Sequence, residues 1–152
     1  MVIYYEIEIM KSKDPLKIFV IDDDVMTLNL LLQHLKNIGY NDVTPFEKEH
    51  NGLNSLCFKP DVIFIDYQLE LLDGLELLKR IRRTHPTTYI VMLSGQSNID
   101  VVVNCFRYGA FDYIIKNSNQ ESRIKQVLDK INEERKKNDE EKSLFQKIKN
   151  LF

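Results

Sequence analysis

Between Asp61 and Asp66 the chain reads Val-Ile-Phe-Ile, with no polar side chain until the second carboxylate. A short unbroken apolar run bounded by turn signals predicts a strand covered on both faces, as in parallel sheets. Covering both faces takes helices above and below, which restricts the chain to layered α/β architectures. It also places Asp66 where the strand ends, at the rim of a sheet. A single acid at a strand end is most often a turn former. Its meaning depends on what other segments bring to the same rim.

The remaining segments fit the same plan. Residues 17–21 form an apolar run ending in Asp22-Asp23-Asp24. Val25, Leu28, Leu31 or Leu32, Leu35 and Ile38 then recur at helical spacing, with an acid available as cap and Gly39 as stop. Residues 42–46 read as a short strand whose Pro45 suits a sheet edge. Residues 48–58 read as a weak helix, because Gly52 and two asparagines lower its propensity. A helix is expected from Asp73-Gly74 to Arg83, with Leu75, Leu78 and Ile81 inward and Asp73 and Glu76 spaced as a capping pair. Residues 89–93 form another apolar strand, ending at Ser94-Gly95. Ser97 and Asp100 are spaced as a capping box for a helix to Tyr108, closed by Gly109. Residues 112–115 make a last strand ending at Lys116. Ser118 and Glu121 are spaced as the cap of a long helix carrying Ile124, Val127, Leu128 and Ile131. Five strand–helix repeats predict an α/β, flavodoxin-like, doubly wound five-stranded parallel sheet in the order 2-1-3-4-5. Residues 1–10 alternate partly, as an extra strand would, before Lys11-Ser-Lys-Asp-Pro15 breaks the pattern.

Composition narrows the function classes. A chain of 152 residues, 43% apolar and 29% charged, suits one domain with some excess length. A net charge of −2 offers no basic field for nucleic acid or an anionic membrane. No apolar run is long enough to span a bilayer, and the first residues lack a signal peptide's basic start, so a cytoplasmic location is expected. Cys57 and Cys105 have no metal-ligand spacing and read as buried thiols. His34, His50 and His85 are scattered and form no metal or catalytic cluster.

In the predicted order, the first and third strands are neighbours and ligands bind at their carboxyl ends. Four strands then deliver polar groups to one rim: Asp22, Asp23 and Asp24 from the first, Asp66 from the third, Ser94 from the fourth, Lys116 from the fifth. Carboxylates crowded together raise each other's pKa unless a cation sits among them. A hard divalent ion fits such oxygen ligands, and Mg²⁺ is usual beside phosphate. A carboxylate, Mg²⁺, a hydroxyl and a lysine together describe phosphoryl transfer to a carboxylate nucleophile.

From residue 17 to about residue 131 the sequence resembles the receiver domain of two-component response regulators. The resemblance rests on Ile21-Asp-Asp-Asp24, on Ile65-Asp-Tyr-Gln-Leu-Glu-Leu-Leu-Asp-Gly74, on Met92-Leu-Ser-Gly95 and on Gly109-Ala-Phe-Asp-Tyr-Ile-Ile-Lys116. It implies a phosphorelay switch rather than an enzyme with an external substrate. Asp66 would accept a phosphoryl group from a phosphohistidine of a sensor histidine kinase or phosphotransfer protein. Asp22, Asp23, Asp66 and the backbone carbonyl of Gln68 would hold Mg²⁺. Lys116 and Ser94 would bind the phosphoryl oxygens, and Ser94 and Tyr113 would switch, with Tyr113 turning inward. Gln68 and Gln96 would tune dephosphorylation. Repacking would alter a face carrying Asn104, Arg107, Tyr108 and Tyr113 for a downstream protein target. Two positions depart from the family pattern: Asn117 stands where a proline usually follows the lysine, and Glu70 stands where proline is frequent. The first leaves the Lys116–Asn117 peptide trans or strained, and the second implies a looser loop after Asp66.

The expected organisation is an N-terminal extension over residues 1–15, the receiver over 16–132 and a helical tail over 133–152. Opposite charges four apart support the tail, and Leu144, Phe145, Ile148, Leu151 and Phe152 line one apolar stripe, a possible homodimer contact. With few residues left for an output domain, the chain reads as a stand-alone receiver or the receiver part of a larger regulator, with no nucleic-acid or membrane partner. Two alternatives share the site chemistry. One is a receiver-like scaffold without phosphorylation. The other is a phosphohydrolase of the haloacid dehalogenase type, with Asp22 and Asp24 as its acidic pair and Asp66 left idle.

Overall fold

The computed structural model describes residues 15–151, so the expected strand over residues 1–10 lies outside the described residues. Five strands form one parallel sheet: β1 (Ile18–Ile21), β2 (Val43–Phe46), β3 (Val62–Asp66), β4 (Tyr89–Ser94) and β5 (Asp112–Ile115), in the order β2-β1-β3-β4-β5. The helices between and after them are α1 (Val25–Asn37), α2 (Glu49–Asn54), α3 (Gly74–Thr84), α4 (Ile99–Arg107) and α5 (Gln120–Lys149). Ile21 pairs with Ile65, and Asp66 with Leu93, which sets the ends of β1, β3 and β4 side by side.

Period-two alternation in fully apolar strands explains the two cores. Ile18, Val20, Val62 and Phe64 face Leu28, Leu31 and Leu35 of α1 and Ile124, Val127, Leu128 and Ile131 of α5. Phe19, Ile21, Ile63 and Ile65 face Leu77, Leu78 and Ile81 of α3. Leu77 is fully buried and Leu75 only partly, a one-residue turn of the face expected for α3. The Asp73 carboxylate accepts the Glu76 N–H at 2.8 Å, as its spacing predicts. Gly74 is required there: a Cβ would meet the Asp66 carbonyl oxygen and lie 2.7 Å from Tyr67 Cα.

Four local expectations are corrected. The segment 48–58 divides into α2 and a 3-10 turn, Leu56–Phe58, ended by Lys59 at φ 53°. Cys57 lies in that short turn and is exposed, whereas Cys105 is buried as expected. α4 is capped by Asn98, whose side chain accepts the Asp100 N–H, rather than by Ser97. α5 begins without a side-chain cap, because Asn117 Oδ1 takes the Asn119 N–H in a turn of its own and Ser118 plays no capping part. Among the described residues no peptide bond is cis, so Lys116–Asn117 is trans.

α5 continues as one helix well past the domain. Its 30 residues span about 45 Å. Its last fully buried side chain is Ile131, and Leu144, Phe145, Ile148 and Leu151 are exposed. No helix among the described residues is long and apolar enough to cross a membrane.

Candidate functional site: an acidic rim around Asp66 and Lys116

The parallel order brings Asp22, Asp23 and Asp66 together at the carboxyl ends of β1 and β3. One carboxylate oxygen from each lies within 4.8 Å of the others. Asp22 is almost wholly buried and has both oxygens bonded: Oδ1 accepts the Asp24 N–H at 2.9 Å, and Oδ2 accepts Lys116 Nζ at 2.8 Å. Lys116 reaches from the end of β5 and also lies 2.9 Å from Asp66 Oδ1, bridging the two acids. Asp23 Oδ2 accepts the backbone N–H of Glu70 at 2.8 Å. Asp24 caps α1 by accepting the Thr27 N–H at 2.9 Å.

Burial holds the Asp66 carboxyl above the ordinary carboxylate range. Its bonds to Lys116 and to the Gln68 N–H pull the other way, and the Asp22 charge pushes further up. Burial alone would lower the Lys116 ammonium, but its bonds to Asp22 and Asp66 outweigh that and hold it above the usual lysine value. One ammonium facing three carboxylates leaves the rim short of positive charge. A hard cation with oxygen ligands matches this donor set, and among the described residues no other group of three or more potential ligands comes together in this way.

Ser94 and Tyr113 meet beside this cluster. Ser94 is fully buried at the end of β4, and its Oγ accepts the Gln96 N–H at 3.1 Å. The Tyr113 hydroxyl donates to the Gln96 carbonyl at 3.0 Å. The two side chains therefore hold Gln96 at both ends of its backbone, while its own side chain is exposed like that of Gln68. Tyr113 is buried, with its ring inward and its hydroxyl on the Gln96 carbonyl. The exposed residues of α4 are Ile99, Asp100, Val103, Phe106 and Arg107, and Tyr108 follows it under the Lys79 ammonium at 4.2 Å from the ring centroid.

Sequence reasoning missed the Glu70–Asp23 bond, because a backbone donor leaves no mark in residue types. It also missed Arg82, whose guanidinium bonds backbone carbonyls at the opposite end of the sheet.

The chain matches the response regulator receiver domain over residues 18–129. It belongs to the response regulator receiver family. The DNA-binding transcriptional regulator NtrC of Klebsiella pneumoniae is 34% identical over 99 residues, covering 64% of this chain and 21% of that protein. The nitrogen assimilation regulatory protein NtrX of Azorhizobium caulinodans is 36% identical over 101 residues, covering 65% and 22%. The chain thus spans about a fifth of the length of these relatives. Among solved structures, NtrX from Brucella abortus in complex with ATP superposes with a TM-score of 0.76 at 31% identity, over 86% of this chain and 30% of that one. A CheY-like receiver domain protein from Methanospirillum hungatei JF-1 gives 0.70 at 26% identity, over 79% and 96%.

Proposed function

We propose that this receiver is a phosphorylation switch in which Asp66 takes a phosphoryl group from the phosphohistidine of a sensor kinase or phosphotransfer protein. The observation that supports this most is the Lys116 ammonium 2.9 Å from Asp66, with carboxylate oxygens of Asp22 and Asp23 within 4.8 Å. Asp22, Asp23 and Asp66, with the Gln68 carbonyl, would hold Mg²⁺. When bound, the ion supplies charge neutralisation for the phosphoryl oxygens. Lys116 holds Asp66 Oδ1, and the other oxygen attacks. The P–N bond breaks as the O–P bond forms, and the electron pair returns to the imidazole, which is then protonated. Burial keeps the Asp66 carboxylate basic and so a better nucleophile. The phosphohydrolase reading needs Asp22 as nucleophile, yet both its oxygens are engaged.

The new group brings about −1.5 to −2 charges. The Ser94 hydroxyl and the Lys116 ammonium would bond it. Charge-assisted bonds are worth roughly 1.5–3 kcal/mol each, against about 5.5 kcal/mol for moving a two-state equilibrium from ~1:99 to ~99:1. To donate its O–H to the phosphoryl group, Ser94 would shift toward Asp66 and draw with it the Gln96 N–H that its Oγ accepts. The loop between β4 and α4 then moves, and with it the exposed face of α4 that a downstream protein would read. Gln68 and Gln96 flank the site and would set how water reaches the acyl phosphate. The tail stripe would pack against a second copy or the downstream partner. The relatives named as DNA-binding are several times longer than this chain, and any contact of its own with nucleic acid would come through that larger context.

Incubation with acetyl phosphate and Mg²⁺, followed by intact-mass measurement, tests the reading. One phosphoryl group is expected on the wild type and none on Asp66→Ala. Unmodified wild type, or modified Asp66→Ala, would overturn it. Ser94→Ala should still be phosphorylated but lose phosphorylation-dependent partner binding.

A further inference from the structure

Glu70 stands in the loop between β3 and α3, and its backbone N–H donates to Asp23 Oδ2 at 2.8 Å. Its side chain reaches back toward α2, with Oε2 3.8 Å from Lys48 Nζ across an exposed gap. The backbone bond is the stronger tie, because a short charge-assisted bond outweighs a long, screened surface pair. Resting on the metal-site reading above, we infer that the Glu70 amide is a positioning group for the cation. It fixes the Asp23 carboxylate facing Asp22 and Asp66 and leaves the second oxygen, Oδ1, for the ion.

The physical need is visible in the cluster. Asp22 is held by the Asp24 N–H and Lys116, and Asp66 by Lys116 and the Gln68 N–H. Asp23 is only partly buried, and the bond described for its carboxylate is the one from Glu70. Without a donor, its charge would swing toward solvent, away from two other carboxylates. The Glu70 amide removes that freedom before any ion arrives, and partners that orient ligands in this way are commonly worth 10–100-fold in metal affinity. The same bond ties the loop carrying Gln68 to the rim, so the loop is anchored by Glu70 at its middle and by the Gly74 N–H on the Tyr67 carbonyl, 2.9 Å, at its end. The looser loop expected from sequence is thus fastened by the residue that seemed to loosen it.

The test separates amide from side chain. Proline at this position removes the N–H, whereas alanine keeps it and removes only the pair with Lys48. Mg²⁺ binding to the full chain is measured by calorimetry for the wild type, Glu70→Ala and Glu70→Pro. Glu70→Ala should bind within about twofold of the wild type, and Glu70→Pro about tenfold more weakly. Equal affinity of Glu70→Pro and wild type would overturn the inference, as would an equal loss in both variants. Wild type that binds no Mg²⁺ would overturn both this inference and the metal-site reading. Should Glu70→Pro not fold, amide hydrogen exchange decides. Glu70 should lose protection in Asp23→Ala, while Tyr67, bonded to the Leu93 carbonyl at 2.8 Å, keeps its own. An unchanged Glu70 rate in Asp23→Ala would overturn the inference.

Discussion

The two ends of the sheet treat charge in opposite ways. At the amino ends of the strands, Arg82 sends its guanidinium into a ring of backbone carbonyls: Pro86 at 2.6 Å, Thr88 at 2.9 Å and Gly109 at 2.7 Å. Nearby, Asp61 accepts the Lys17 N–H at 2.8 Å, and the Thr88 hydroxyl donates to the Pro60 carbonyl. Polar groups there close loops and turn chain ends back onto the sheet. At the carboxyl ends, three carboxylates crowd together and one ammonium bonds only two of them. At the first end most of these groups bond within the protein, although Arg82 Nε is buried without a partner. The second remains short of positive charge, a shortage that the proposed cation would relieve.

Removing a partner at the first end should therefore destabilise, and removing a charge at the strained end should stabilise. Arg82→Ala leaves several carbonyls without donors and should cost roughly 2–3 kcal/mol, measured by urea unfolding, with Mg²⁺ affinity unchanged. A cost below about 0.5 kcal/mol, the usual range for surface changes, would erase the contrast. Asp66→Asn keeps the shape and removes one buried charge, while Asp22 still pairs with Lys116. It should gain about 1 kcal/mol, or 2–4 °C in Tm. A loss instead would mean that the Lys116–Asp66 pair outweighs the crowding.

The sign of that gain can be followed with pH. Burial raises the Asp66 pKa in the folded protein above the ordinary 3.8. The folded state then holds a proton that the unfolded chain has already released, so this group's contribution to stability falls as pH rises from 3.8 through the raised value. The advantage of Asp66→Asn should be full at neutral pH and shrink steadily as pH falls through that window. Paired unfolding curves at a series of pH values measure it, and a gap independent of pH would assign the stabilisation to something other than the Asp66 charge.

The contrast between the two ends also explains what was legible in the sequence. Strand ends carry their chemistry in side chains, and the parallel order follows from five apolar runs separated by helices. The placement of Asp22, Asp23, Asp66, Ser94 and Lys116 at one rim could thus be read from residue types and spacing. The Glu70 amide and the carbonyl ring around Arg82 involve backbone atoms that every residue possesses, so no residue pattern announced them. The cap expectations failed for a related reason. Asn98 takes the Asp100 N–H that Ser97 would have capped, and Asn117 takes the Asn119 N–H in a turn that precedes α5, and spacing alone foretells neither. Tyr113 was placed correctly on β5, but its rotamer depends on the Gln96 carbonyl, which spacing does not reveal.

A third region sharpens the comparison because it belongs to neither end. Beyond Ile131, α5 leaves the core, and its contacts with the domain thin to such pairs as Arg135 with Asp61 at 3.6 Å. Leu144, Phe145 and Ile148, with Leu151 just past the helix end, then present apolar surface to water, and the neighbouring helix positions are mostly charged. Removing residues 143–152 should leave the unfolding free energy within about 0.5 kcal/mol, since the described residues of that segment are all exposed. If the stripe packs against a second copy, sedimentation should show the full chain more associated than the truncated one, and the unfolding midpoint of the full chain alone should rise with protein concentration. If both chains sediment identically and unfold at concentration-independent midpoints, the stripe makes no contact between copies.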